Sequence, residues 1–139
     1  MKYMIMLYGS QRDYDMLTGK AVDGRPAWTQ EEIGALHAFM GKWNGDLVES
    51  GEFVDAQGLN SPMLTRRVRL KDGVPVVTDG PYAETQEVLA GYTIVECDSF
   101  DRATEVAARL AGAPYPYAAL DSEWHVDVRP IHGGVDEIE

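Results

Sequence analysis

Three acidic residues within nine positions make the segment from Asp79 to Glu87 the part of the sequence best suited to chemistry. Asp79 and Glu84 are candidate catalytic residues, because two carboxylates held close together split their pKa values, so one can act as acid and the other as base. Carboxylate oxygens also bind divalent cations, which is a second interpretation. A third is structural: Asp79 caps the turn at Gly80-Pro81, and Glu84 and Glu87 are solvated.

Three further residues are candidates for ligand binding: Tyr82, Glu87 and His125. The Tyr82 hydroxyl can donate to a ligand or to a neighbouring carboxylate. His125 and Asp127 are two positions apart on a predicted strand, so they would share a face and could pair for proton transfer. A solvated strand face with unrelated charges explains that pattern equally. One cysteine permits no multi-cysteine metal site, and we predict neither a metal ion nor another cofactor.

The acidic segment also carries a family signature. It resembles the hallmark of the DGPF-type branch of the YCII-related family, which reads roughly Asp-Gly-Pro-Phe-Ala-Glu-Thr-Lys-Glu and continues to Gly-Tyr or Gly-Phe. The matching positions are Asp79, Gly80, Pro81, Ala83, Glu84, Thr85, Glu87, Gly91 and Tyr92. Tyr82 stands where the family usually has Phe, and Gln86 where it usually has Lys.

The resemblance implies an α+β, ferredoxin-like βαββαβ fold with an inserted β-hairpin, which dimerises as an α/β barrel. It implies no particular reaction, because the family has no general assigned activity. One hypothesis is a homodimer that binds a small organic ligand, or performs acid–base chemistry on it, near Asp79–Tyr92. Some members are fused to or encoded beside alternative sigma factors, so the other is a non-enzymatic regulatory or partner-binding module linked to transcription.

The pattern of apolar residues predicts the first elements. Residues 2–8 form a strand that is apolar on both faces, and because helices cover only one face we expect a second subunit on the other. Turn-forming residues predict a long linker over 9–28. Thr29 and Glu32 predict a capping box for a helix that ends at Gly51. Its apolar stripe is Ile33, Leu36, Met40, Trp43 and Leu47.

A hairpin over 64–78 is predicted from its Asp72-Gly73 turn. Its basic side chains either hold an anion or a partner's acidic surface, or they form a charged edge that prevents aggregation. Further strands are predicted over about 52–58, 89–96 and 123–130. A second helix is capped by Asp98 or Ser99 and closed by Gly112; without the hairpin, the order is βαββαβ.

Composition narrows the classes of partner. The 139 residues predict a single domain over 1–139. A net charge of -11 repels phosphate backbones, so we predict no direct nucleic-acid binding. No apolar run of about 18 residues is present, so we predict no membrane association. No signal peptide is visible, which predicts a cytoplasmic protein.

Overall fold

A computed structural model describes residues 1–115 and 124–133. Within those ranges the strands are β1 (Lys2–Gly9), β2 (Phe53–Gly58), β3 (Arg66–Lys71), β4 (Val74–Asp79), β5 (Val88–Glu96) and β6 (Asp127–Pro130). The helices are α1 (Gln11–Leu17), α2 (Gln30–Ser50) and α3 (Phe100–Ala111), and one 3-10 turn covers Pro62–Leu64. The fold is therefore mixed α/β. In the described ranges, none of the helices has both the length and the apolar character needed to cross a bilayer.

Antiparallel strand pairing connects the strands into two sheets. The larger sheet is open and has the strand order β2-β5-β1-β6, while β3 and β4 form a sheet of their own. In the larger sheet β6 runs antiparallel to β1, pairing Asp127 with Met6 and Pro130 with Tyr3. The strands predicted over 2–8, 52–58 and 89–96 are confirmed with small shifts at their ends.

The long helix α2 begins and ends as its sequence predicts. The Glu32 backbone N–H donates to Thr29 Oγ1 at 3.1 Å, and the Thr29 N–H donates to Glu32 Oε1 at 2.9 Å. This reciprocal pair satisfies two amides that the first helical turn leaves free. Gly51 ends the helix with φ 79°, a left-handed conformation that suits glycine. For α3, the N-cap is Ser99 and not Asp98.

The chain divides into two compact units. The sheet–helix unit comprises Met1–Leu7, Thr29–Gln57 and the described residues from Gly91 onward. The helix–hairpin unit comprises Tyr8–Trp28 and Gly58–Ala90.

The sheet–helix unit has a continuous apolar core in which α2 and α3 pack on one face of the sheet. Ile5 and Val95 are fully buried, and Trp43 is 1% exposed while its Nε1–H donates to the Val106 carbonyl at 3.0 Å. The buried residues of α3 form one stripe: Ala103, Val106, Ala107 and Leu110. On the opposite sheet face lie half-buried side chains: Met4, Met6, Tyr92 and Ile94.

The region 9–28 contains a helix, so the prediction of an uninterrupted linker is wrong. Ser10 caps α1: the Asp13 N–H donates to Ser10 Oγ at 3.3 Å, and the Ser10 N–H donates to Asp13 Oδ2 at 2.8 Å. Met16 is 5% exposed and fastens the helix within its unit. The capping box is a local signal, and the many turn formers around it obscured it.

The last strand is shorter than the predicted 123–130, whose first residue lies outside the described ranges. It starts only at Asp127, because Trp124 is held at the end of α3, where its Nε1–H donates to the Ala111 carbonyl at 3.0 Å. His125 therefore precedes β6, and the prediction that it shares a strand face with Asp127 is wrong.

The predicted hairpin is confirmed as β3 and β4, which we call the arm (Arg66–Asp79). Asp72 and Gly73 both have positive φ, at 52° and 78°, the geometry of a tight two-residue hairpin turn. The register pairs Val68 with Val77 and places the arm's side chains on two faces. The face that we call apolar carries Val68, Leu70, Pro75 and Val77, with the Arg66–Asp79 pair at its end. The face that we call basic carries Arg67, Arg69 and Lys71 on β3 and Val74, Val76 and Thr78 on β4.

Candidate functional site

The turn that follows the arm depends on glycine at position 80. Gly80 has φ 54°, and its N–H donates to the Thr65 carbonyl at 2.8 Å. A Cβ at this position would lie 3.4 Å from the Met63 carbonyl oxygen, a tight contact. A larger residue would be strained both by its backbone angle and by this contact. Gly80-Pro81 thus holds the acidic segment against the loop before β3.

A cleft of about 340 Å³ lies beside this turn, wholly within the helix–hairpin unit. Its lining is predominantly apolar, and no charged side chain is part of it: Leu59, Asn60, Ser61, Pro62, Leu64, Thr65, Tyr82, Val88 and Leu89. A cleft of this size lies at the lower end of the range for small-molecule sites. Its lining suits an uncharged organic molecule with one or two hydrogen-bonding groups.

Tyr82 is the one predicted site residue that lines the cleft. The guanidinium carbon of Arg67 lies 5.4 Å from the centroid of its ring, a cation–π contact that holds the ring in place. Its hydroxyl forms no hydrogen bond with any residue in the described ranges. The Tyr82 hydroxyl is therefore available to a ligand.

Helix α1 braces the loop that forms one wall of the cleft. The Met63 N–H donates to Gln11 Oε1 at 2.9 Å. The Tyr14 hydroxyl donates to the carbonyls of Leu59 and Ala90, at 3.0 and 3.3 Å. Burial, and to a lesser degree the Asp13 carboxylate, raises the pKa of Tyr14, so this hydroxyl keeps its proton at neutral pH.

The three carboxylates of the acidic segment lie outside the cleft lining. Asp79 is at the end of β4, where its Oδ1 forms an ion pair with Arg66 Nε at 3.2 Å. Both side chains are more than three quarters exposed. Glu84 is exposed, and its backbone carbonyl accepts a hydrogen bond from the Arg12 N–H at 3.2 Å. Glu87 is also exposed, directly before β5.

His125 belongs to the other unit, and its side chain is exposed. The described residues include no group of three or more His, Cys, Asp or Glu side chains placed to hold a metal ion.

The polar part of the cleft wall comes from Asn60, Ser61 and Thr65, none of which was predicted as a site residue. The signal available was the run Asn60-Ser61-Pro62, whose residue types are typical of turns. Pro62 is 3-10 helical and buried. A turn formed by polar residues shows that the backbone bends there, but not that its side chains face a cavity.

A cluster of charged and polar side chains with shifted pKa values lies in the sheet–helix unit. Two nitrogens of Arg102, Nε and Nη2, donate to Glu52 Oε2 and Oε1 at 2.9 and 2.8 Å. These bonds, with one from Ser50 and one from Cys97, lower the pKa of Glu52 to about 2. Burial and the nearby Glu52 raise the pKa of the Cys97 thiol to about 11, so it is not a nucleophile at neutral pH.

Comparison with known proteins covers both units. A family model of the YCII-related domain matches residues 1–130. An uncharacterized protein of Rhizobium meliloti (strain 1021) is 31% identical over 87 residues, which amount to 63% of this chain and 70% of that protein.

Proposed function

The chain belongs to the YCII-related family, and on that premise we propose that it binds a small, uncharged organic molecule in the cleft beside Tyr82. The observation that carries the proposal is the cleft itself: about 340 Å³, mostly apolar, and lined by Tyr82, whose hydroxyl has no hydrogen-bond partner among the described residues. That combination is typical of sites in which apolar walls supply affinity and a few hydrogen bonds fix orientation. Phenols and small amides match this chemistry.

The proposal includes a homodimer of the DGPF-type branch with ferredoxin-like subunits. The strand order β2-β5-β1-β6, once the arm is set aside, supports the ferredoxin-like arrangement. The second sheet face supports pairing with another subunit as an α/β barrel, since its side chains are only half-buried in the single chain: Met4, Met6, Tyr92 and Ile94.

Acid–base chemistry by Asp79 and Glu84, with Glu87 and His125 assisting in ligand binding, is the catalytic form of the same proposal. It requires that the bound substrate extend to these exposed carboxylates, or that the acidic segment move so that they reach the substrate. The uncharged lining of the cleft favours binding over catalysis as the primary role.

A thermal-shift screen of small phenols, amides and carboxylic acids tests binding. A ligand at about ten times its Kd adds about 1.4 kcal/mol of stability, which raises Tm by roughly 5 °C in a domain of this size. We expect a neutral phenol or amide to bind, Tyr82→Phe to weaken it about tenfold and Tyr82→Ala to weaken it further. If no compound binds, or if Tyr82→Ala binds normally, the cleft is not the site.

Paired variants separate catalysis from binding. Asp79→Asn and Glu84→Gln remove charge while keeping shape, and the matched control is Asp72→Asn, because asparagine tolerates the left-handed turn at that position. Unchanged ligand affinity with loss of turnover in the first two variants would support acid–base chemistry. Unchanged behaviour in every variant would leave Asp79 and Glu84 without a role.

A regulatory, partner-binding module linked to alternative sigma factors is the second candidate. The exposed apolar face of the arm favours it, because such surfaces are typical of interaction sites. It predicts that a purified alternative sigma factor from the same organism forms a complex with this chain in sedimentation velocity, while the ligand screen finds no binder.

A further inference from the structure

A second cavity, of about 170 Å³, lies beside α1 within the helix–hairpin unit. Three of its lining residues are aromatic, and we call them the aromatic cage (Tyr8, Tyr14 and Trp28). The other lining residues are Gly9, Asp13, Leu17 and Ala90. The cavity shares no lining residue with the cleft beside Tyr82, and in contrast to that cleft its lining includes a charged side chain. It is therefore a separate candidate for ligand binding.

Hydrogen bonds fix two of the cage residues. The Tyr14 hydroxyl donates to the carbonyls of Leu59 and Ala90, which anchors its ring at the far end. The Trp28 N–H donates to the Met16 carbonyl at 3.0 Å, so the loop that follows α1 is fastened to that helix where it reaches the cavity. All three cage residues are half-buried, so a ligand can reach them in the folded chain. Rings that are already in place lower the cost of ordering a binding site.

Asp13 gives the cavity a negative charge. Its Oδ2 accepts hydrogen bonds from the Ser10 N–H and hydroxyl, at 2.8 and 3.1 Å, and it forms no ion pair with any described residue. A methyl group added at Gly9 would lie 3.5 Å from Tyr14 Cε1 and from Ala90 Cβ, and 3.8 Å from Asp13 Oδ2. The carboxylate and the ring thus border one small space, which the absence of a side chain at Gly9 leaves open.

This combination of rings and a carboxylate is suited to a cation. An aromatic face attracts a cation through its quadrupole, and the carboxylate adds a direct Coulomb attraction. None of the lining residues is basic, and the net charge of -11 attracts cations from a distance.

The scarcity of hydrogen-bond acceptors narrows the kind of cation. A primary ammonium is strongly hydrated and carries three donors, whereas Asp13 Oδ2 already accepts two bonds. A methylated ammonium needs fewer acceptors, and it presents methyl groups to the rings. The volume of about 170 Å³ is close to that of an engineered cavity of about 150 Å³ that binds benzene, so a compact head group fits.

We propose that the aromatic cage and Asp13 bind the methylated ammonium group of a small molecule. The rings contact the methyl groups, and the carboxylate supplies the opposite charge. The inference goes beyond the proposed function, since the cleft beside Tyr82 takes an uncharged molecule and this cavity takes a cation.

A pair of ligands with nearly the same shape tests the site: choline, which is charged, and 3,3-dimethylbutan-1-ol, which is not. NMR titration of the full chain follows the indole N–H signals of its three tryptophans. Trp28 belongs to the cage, while Trp43 and Trp124 donate to carbonyls in the other unit. We expect choline to shift the Trp28 signal saturably in the millimolar range and to leave the other two in place. The neutral alcohol should bind at least about tenfold more weakly.

Three variants assign the parts of the site. Asp13→Asn removes the charge but keeps an oxygen that can accept from the Ser10 N–H, so α1 stays capped. It should weaken choline about fivefold and leave the affinity for the alcohol unchanged. Asp15→Asn is the matched control, because it makes the same change on the same helix outside the cavity lining, and it should bind choline normally. Gly9→Ala adds a methyl group at ordinary contact distances and should weaken both ligands.

The outcomes also separate this inference from the proposed function. Absence of a saturable shift at Trp28, or equal affinities for choline and the alcohol, would overturn the proposal. Equal losses in Asp13→Asn and Asp15→Asn would overturn the role of Asp13. If Asp13→Asn fails to fold, the two ligands on the wild type decide the question. Tyr82→Ala should bind choline normally whatever the phenol and amide screen finds, and loss of choline binding in that variant would overturn the separateness of the two sites.

Discussion

Valine side chains are buried in the core of the sheet–helix unit but exposed on the apolar face of the arm. Val95 is fully buried in a core that α2 and α3 complete, whereas Val68 and Val77 on the arm are more than half exposed. In the same unit, long-range hydrogen bonds are formed by the side chains of Trp43, Cys97 and Glu52. The chain itself covers the apolar residues of the first region, whereas it leaves those of the arm exposed.

The largest loss of stability is expected from a substitution at Trp43, in the core of the sheet–helix unit. Trp43→Ala removes a side chain that is 1% exposed and leaves a cavity, so we expect a loss of about 3–5 kcal/mol in the free energy of unfolding. Urea denaturation followed by circular dichroism measures it. Trp43→Phe, which keeps an aromatic ring but removes the Nε1–H that donates to the Val106 carbonyl, should lose less. A loss below about 1 kcal/mol in Trp43→Ala would show that the core is loosely packed.

The same chemical change in the two regions tests the comparison directly. Val95→Thr buries a hydroxyl in the core and should cost about 2 kcal/mol, because the new polar group replaces a methyl group in a fully buried site. Val77→Thr keeps a β-branched residue in an exposed strand and should change the stability of the dilute monomer by less than about 0.5 kcal/mol. Equal costs would mean that the arm is packed within the single chain.

The Glu52–Arg102 ion pair makes the stability of the sheet–helix unit depend on pH. The pKa of Glu52 is about 2 in the folded chain against 4.5 for the free side chain, so its contribution is complete above about pH 4.5 and disappears as the pH falls towards 2. Glu52→Gln should lose about 1–2 kcal/mol at pH 7, and the loss should shrink as the pH falls below 4.5 and vanish below about 2. Melting curves across this range measure the difference. Glu49→Gln, on the exposed end of α2, is the control, and a pH-independent effect of Glu52→Gln would contradict the assignment.

The smallest expected loss of stability concerns Tyr14, whose hydroxyl holds the loop that forms one wall of the cleft. Tyr14→Phe removes the hydroxyl that donates to the carbonyls of Leu59 and Ala90 and should cost about 1 kcal/mol. Hydrogen exchange should accelerate in the loop around Leu59 while the core of the sheet–helix unit stays protected. Tyr82→Phe is the control, because its hydroxyl has no described protein partner and its loss should not change stability. A global loss of protection in Tyr14→Phe would show that the helix–hairpin unit does not unfold independently.

Part of the candidate site was predictable from the sequence. Of the residues that the sequence singled out around Asp79, Tyr82 lines the cleft. The carboxylates singled out for acid–base chemistry lie on the surface, and Asp79 pairs with Arg66 across the arm. That ion pair follows from the hairpin register, since a two-residue turn at Asp72-Gly73 places positions 66 and 79 opposite each other.

The sequence by itself determined the features that depend on neighbours within a few residues. Thr29 with Glu32, Gly51, and the Asp72-Gly73 turn act through hydrogen bonds and backbone angles that their own residue types dictate. The missed helix α1 belongs with them, since Ser10 and Asp13 are only three positions apart.

Only the tertiary structure decided which distant segments meet. Arg102 reaches Glu52 across 50 positions, and the Tyr14 hydroxyl reaches the Ala90 carbonyl across 76. The same holds for the cleft, whose wall joins the loop at Leu59 to Tyr82 and β5. Such contacts depend on how whole elements pack, and many residue pairs in the chain have the right chemistry to form them. Local patterns cannot choose among these pairs, because the choice is made by the burial of apolar surface over each unit as a whole.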